Sequence, residues 1–141
     1  MDDALRQRLV EAEERQDWTG ALALLQEAAD LSTAISPRIF FLGEQARVFE
    51  ERLGDHLGAI ECWRRIVELD ASAVDALREL ERLYLLTVQL DAALTVLHRQ
   101  IELTRTSAEV AALWRKIAGV CEQLGDSAGA RSALERAAEA G

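Results

Sequence analysis

The chain has 141 residues and carries 25 acidic against 16 basic side chains, a net charge of −9. That length supports one domain with a continuous core but is short for two. The acidic balance disfavours nucleic acid and anionic membranes, which both need a basic footprint.

Half the residues are hydrophobic and 29% are charged, a globular rather than a disordered composition. Aromatics make up 5% and there is one proline, so Ala and Leu must do most of the packing, which favours helices. The acidity is uneven. Residues 1–70 hold 15 acids and 8 bases, a balance of −7, while residues 71–141 hold 10 and 8, a balance of −2.

The first predicted helix spans about Asp2 to Arg15, with Leu5, Leu9 and Ala12 on one side and Val10 beside them. Its remaining positions are mostly charged, as suits a helix with one face in water. Asp17 can cap a second helix that runs through Ala21, Leu22, Leu25, Ala28 and Ala29 to about Ala34. Trp18, at the turn, is expected to wedge between the helices of its own hairpin.

Ser36-Pro37 is a strong helix start, with Ser as cap and Pro at the first helical position. Ile39, Leu42, Ala46, Phe49 and Leu53 follow at steps of three and four, a core stripe. Phe41 and Val48 fall on what should be the less buried face. The stretch Leu53–Asp70, LGDHLGAIECWRRIVELD, then reads as a helix end, a tight turn and a complete second helix. Gly54 can take the positive φ that closes a helix, and Asp55 can cap the next one. Ala59, Ile60, Trp63, Ile66 and Val67 share a face of that helix.

Asp70–Ala73 links to a third hairpin, where Ser72 and Asp75 are spaced as a capping pair. Leu77, Leu80, Leu83 and Tyr84 form its first core face, and Leu94, Val96, Leu97 and Ile101 its second. Thr87-Val88-Gln89 lacks a glycine, so a differently shaped turn is expected there. Thr106 and Glu109 form another capping box ahead of Val110, Leu113, Trp114, Ile117 and Cys121. The last helix, Ser127 to about Ala140, is nearly all Ala and charge apart from Leu134.

The same pattern therefore recurs. Aligned on the small residue that opens each second helix, the anchors are Ala21, Ala59, Ala93 and Ala130, at separations of 38, 34 and 37. A period in the range of about 20–50 residues with helical content means stacked helical hairpins. The expected fold is an all-α right-handed α-solenoid of four hairpins, eight helices in all. It forms a single domain over 1–141, with units near 2–35, 37–71, 73–104 and 107–140.

These residues resemble the tetratricopeptide repeat (TPR). The fourth unit matches best, through Trp114, Ile117, Ala118, Cys121, Gly125, Ala130, Leu134 and Ala137. The third matches through Leu77, Leu80, Tyr84, Ala93 and Leu97. The second matches from Leu53 to Asp70, but Phe49 stands one position early, which implies a rotated or over-long helix. The first matches mainly in its second helix. The resemblance covers nearly the whole chain and rests on packing residues.

It implies a concave groove, lined by the first helix of each unit, that holds a peptide or helix of a partner. By position the groove residues would be Phe41, Glu44 and Val48, then Arg78, Arg82 and Leu85, then Arg115, Lys116 and Gly119. Arg78, Arg82, Arg115 and Lys116 gather four cations, which suits an acidic partner segment. The alternative is a solvated face with Glu79, Glu81 and Glu122 as partners. Family members that clamp a terminal carboxylate use Asn beside Lys and Arg, and this chain has no Asn.

Catalytic, cofactor and metal chemistry is not expected. His56 and His98 are far apart, with no ligand at metal spacing beside either. Glu13-Glu14 and Glu50-Glu51 are adjacent in sequence and point apart on a helix. Cys62 and Cys121 show no CxxC spacing and read as small hydrophobes in a reducing compartment; a bond between them would need facing helices. No window approaches a membrane span and no secretory start is present, so a cytoplasmic location is expected. The sequence thus points to a non-catalytic protein-interaction scaffold. The alternative is a self-associating structural module, or a section of a longer solenoid stacked through its terminal helices.

Overall fold

The computed structural model describes residues 1–141, which form eight α-helices and no strand. The chain divides into two compact units, Met1–Ala71 and Ser72–Gly141. The first holds α1 (Asp3–Glu14), α2 (Trp18–Leu31), α3 (Ile35–Arg47), a π-helical turn (Val48–Arg52) and α4 (His56–Leu69). The second holds α5 (Val74–Leu86), α6 (Leu90–Leu103), α7 (Ser107–Gln123) and α8 (Ser127–Ala140). Each unit is two consecutive helical hairpins, and within it each helix packs against the next. No helix is long and apolar enough to cross a membrane.

The four anchor alanines sit where the repeat pattern puts them. Ala21, Ala59 and Ala93 have no exposed surface, and Ala130 is buried. In the first unit the core joins Leu5 and Ala12 of α1 to Leu24, Leu25, Ala28 and Ala29 of α2 and Phe41 of α3. In the second, Leu97 of α6 meets Leu113, Ile117, Val120 and Cys121 of α7, and Ala130 and Ala133 of α8.

Each hairpin turns in the same way. One residue takes the left-handed region and the next begins the second helix: Gln16 (φ 57°), Gly54 (63°), Val88 (57°) and Gly125 (78°). The expected difference at Thr87-Val88-Gln89 is therefore absent; Val88 adopts the conformation that Gly54 and Gly125 reach without a side-chain penalty. The residue after each one donates its N–H backwards to close the preceding helix. Asp17 bonds Ala12 (2.8 Å), Gln89 bonds Tyr84 (2.7 Å) and Asp126 bonds Cys121 (2.9 Å), each across five residues. Asp55 reaches Phe49 at 2.8 Å, across six.

That extra residue is the π-helical turn. Leu53 N–H donates to the Val48 carbonyl at 3.1 Å, five residues back. The insertion accounts for the early position of Phe49 and for part of the longer first spacing. It also moves Leu53 out of the expected stripe and into solvent, while Phe49 packs on the start of α4. A Cβ on Gly58 would lie 2.5 Å from the Phe49 ring.

Four helices share one cap. In α1 Asp2 accepts through Oδ1 from the Leu5 N–H at 2.7 Å. Asp17, Asp55 and Asp126 accept through Oδ1 from the N–H groups of Gly20, Gly58 and Gly129 at 2.9, 2.9 and 2.8 Å. The caps of α3, α5 and α7 differ from expectation. Helix α3 begins one residue before Ser36, with Ala34 at the cap, because Pro37 fits anywhere in a first turn whose N–H groups lack helical acceptors. Ala73 rather than Ser72 occupies the cap of α5, and Thr106 caps α7 without a side-chain bond.

Candidate partner-binding cleft

Leu77, Glu81 and Tyr84 stand at i, i+4 and i+7 on α5, so Glu81 is carried into the buried face with its apolar neighbours. On α6, Gln100 follows Val96 and Leu97 on the buried side in the same way. A buried carboxylate needs partners, and Glu81 has two. Gln100 Nε2 donates to Oε1 at 2.8 Å, and Lys116 Nζ of α7 pairs with Oε2 at 3.0 Å. Three helices are tied through one side chain that is 8% exposed.

Above this tie lies an open cleft of about 330 Å³, lined by Arg78, Glu81, Gln100, Thr104, Glu109, Ala112, Leu113 and Lys116. Thr104 closes the end of α6 by donating its hydroxyl to the Gln100 carbonyl at 2.6 Å. Its lining charges cancel, two cations against two carboxylates. The first unit has a polar tie of its own but with amides. Gln45 Nε2 donates to the Leu22 carbonyl and to Gln26 Oε1, both at 3.2 Å, and Arg65 Nη1 donates to the same Gln26 oxygen at 3.0 Å.

The groove residues expected from the sequence divide sharply. In the first unit Phe41 is 8% exposed and belongs to the core, which corrects its placement on a less buried face. Its outward neighbour Phe40 meets it edge-on at 5.5 Å and is the exposed ring of the two. Val48 is half-buried against the same core, and Glu44 pairs with Arg47 at 2.7 Å. In the second unit Arg78 and Lys116 meet in the cleft, whereas Arg82, Leu85 and Arg115 do not line it. Leu85 packs on the core, Arg82 pairs with Glu79 at 2.7 Å, and Arg115 is exposed.

The expected cluster of four cations is thus partly neutralised, by Glu79 and Glu81. Sequence reasoning missed Glu81, Gln100, Thr104 and Glu109 as cleft residues. The first two carry a legible signal, since each lies at helical spacing from buried apolar residues.

Elsewhere the polar chemistry serves packing. Trp63 and Trp114 are half-buried; the Trp63 ring edge rests near Gly43, and the Arg136 guanidinium covers Trp114 at 5.2 Å. Arg52 lies over Trp18 at 4.6 Å, joining the two turns of the first unit. His98 meets Trp114 edge-on, and His56 Nδ1 is 3.9 Å from Glu50. Cys62 and Cys121 are buried free thiols. Burial pushes the Cys62 thiol up to about 11, with Arg65 opposing, and raises Cys121 as well. No three His, Cys, Asp or Glu side chains converge as a metal site would need.

No family model matches the chain, and no curated protein sequence matches it. Solved structures do. A crystal structure of MamA shares 20% identity at a TM-score of 0.62, over 99% of this chain and 75% of that one. A second MamA crystal structure gives 20% and 0.62, over 97% and 71%. BtubC (BKLC) from P. vanneervenii gives 14% and 0.60, over 94% of this chain and 59% of its own. The fold is a TPR-like helical repeat, an α-solenoid class. That likeness extends to the fold and no further.

Proposed function

We propose that this chain is a non-catalytic protein-interaction module that holds a peptide or helical segment of a partner. The cleft of the second unit carries this reading. It is open, walled by Arg78 and Lys116, and floored by a carboxylate whose bonding is completed inside the protein, so the floor is rigid before any ligand arrives. Helix-borne side chains around a preformed cleft suit recognition of an extended or helical segment. Arg82 and Arg115, exposed on the same two helices, would extend the contact beyond the cleft.

The test is affinity capture of a partner, followed by binding of the Arg78→Glu, Arg82→Glu double variant. Both residues are exposed, so the helical signal and melting temperature should stay near wild type while binding is lost. Full binding by that variant would remove the cleft wall from the interaction.

A second reading is favoured by Leu134, which is 49% exposed on α8 and is the one large apolar residue of that helix. It would support self-association through that helix. Sedimentation of wild type and Leu134→Glu over a range of concentrations separates the two, because only self-association predicts a mass that depends on concentration and on Leu134.

A further inference from the structure

The cleft of the second unit contains four charged side chains, and their pairing inside the protein leaves an unusual remainder. Lys116 and Glu81 satisfy one another at 3.0 Å, with Gln100 completing the carboxylate. What the cleft still offers is Arg78 from α5 and Glu109 from the first turn of α7. Arg78 has one loose companion, Asp75 at 4.0 Å, whose own side chain is fully exposed. Glu109 has no ion-pair or hydrogen-bond partner, and it forms no ion pair with Arg78. One guanidinium and one carboxylate thus line the same cleft without neutralising each other, beside the apolar surface of Ala112 and Leu113.

From this we infer that the cleft is an amphoteric site for a peptide segment bearing an acidic and a basic side chain together, the acid against Arg78 and the base against Glu109. The inference rests on the interaction-module reading and narrows it. Four cations on the first helices of this unit would call for a purely acidic ligand. The pairing of Lys116 with Glu81 and of Arg82 with Glu79 removes half of that demand, and Arg115 does not line the cleft. A purely acidic segment would meet Glu109, and a purely basic one would meet Arg78. Each mismatch brings like charges together in a concave space where water screens them less than on an open surface. A ligand with both signs avoids both mismatches, and the arrangement of Arg78 and Glu109 on different helices sets its orientation. Exclusion of the wrong charge pattern contributes as much to such selectivity as attraction of the right one.

The experiment is selection of displayed random peptides on the full chain, followed by affinity measurement with Arg78→Gln and Glu109→Gln. Both side chains are exposed and outside the buried tie, and melting temperatures verify folding. Wild type should enrich peptides with both an acid and a base. Arg78→Gln should weaken such a peptide about fivefold and be insensitive to removal of its acid, and Glu109→Gln should do the same for its base. Enrichment of acidic peptides that ignore Glu109→Gln would overturn the amphoteric site while leaving the interaction module in place. Peptides that ignore both variants would place binding outside the cleft and overturn the inference alone. A selection that enriches nothing over a protein-free surface would overturn both.

Discussion

Val88 holds a φ of 57° with its side chain 72% exposed, so a β-branched residue occupies the left-handed region without packing to offset the strain. The equivalent positions in two other hairpins are Gly54 and Gly125. Val88→Gly should therefore stabilise the chain by about 1 kcal/mol, seen as a melting temperature higher by about 3 °C, while Gly125→Val should lower it by a similar amount. At the opposite extreme is Ala59, which has no exposed surface. Ala59→Leu adds three carbons at a fully buried helix crossing and should cost about 1–3 kcal/mol in denaturant unfolding. An unchanged midpoint for Ala59→Leu would mean that the close helix approach it anchors is not tight.

Among the elements, the π-helical turn is the departure from an otherwise regular plan. Three hairpins close with a bond spanning five residues, and this one spans six. Deleting exposed Glu51 should bring Phe49 into the register of Tyr84 and Cys121, converting the turn to α-helix. The expected outcome is a melting temperature equal to or above wild type with the helical signal kept; a large drop would show that side chains of the turn depend on the inserted register. The capping aspartates act at the same scale. Asp55→Ala removes the acceptor for the Gly58 N–H, bonded at 2.9 Å, and should cost about 1 kcal/mol.

For the whole molecule, the buried thiol makes stability depend on pH in the alkaline range. The Cys62 thiol rises from 9.0 to about 11 on folding, because burial disfavours the thiolate. Between those values the folded chain keeps a proton that the unfolded chain has lost. Stability contributed by this group is fully present below pH 9 and falls as pH rises toward about 11. Urea unfolding at several alkaline pH values should show this decline, and Cys62→Ala should have a smaller one. The charge balance acts at this scale too. The second unit is nearly balanced in charge, 10 acids against 8 bases, which gives a partner little long-range attraction, so short-range matching in the cleft must supply specificity.

Helix number, hairpin order and the repeat were legible in the sequence because each is encoded locally. Three- and four-residue spacing identifies a helical face, an Asp after a left-handed residue starts a helix, and the recurring small residue marks each close crossing. The buried alanines at 21, 59, 93 and 130 follow from that pattern alone. The early Phe49 already signalled an over-long helix, but its π-helical form and the left-handed Val88 were decided by the folded hairpins, which place a left-handed residue at the turn whether or not it is a glycine. Phe41 shows the same division, since its spacing places it off the stripe of its own helix while α2 provides the apolar surface that buries it. The cleft was less legible still. Arg78, Arg82, Arg115 and Lys116 read alike as cations on helix faces. The pairing of Arg82 with Glu79, three residues apart on α5, is within reach of local spacing, whereas that of Lys116 with Glu81 depends on a distance between helices that no local spacing contains.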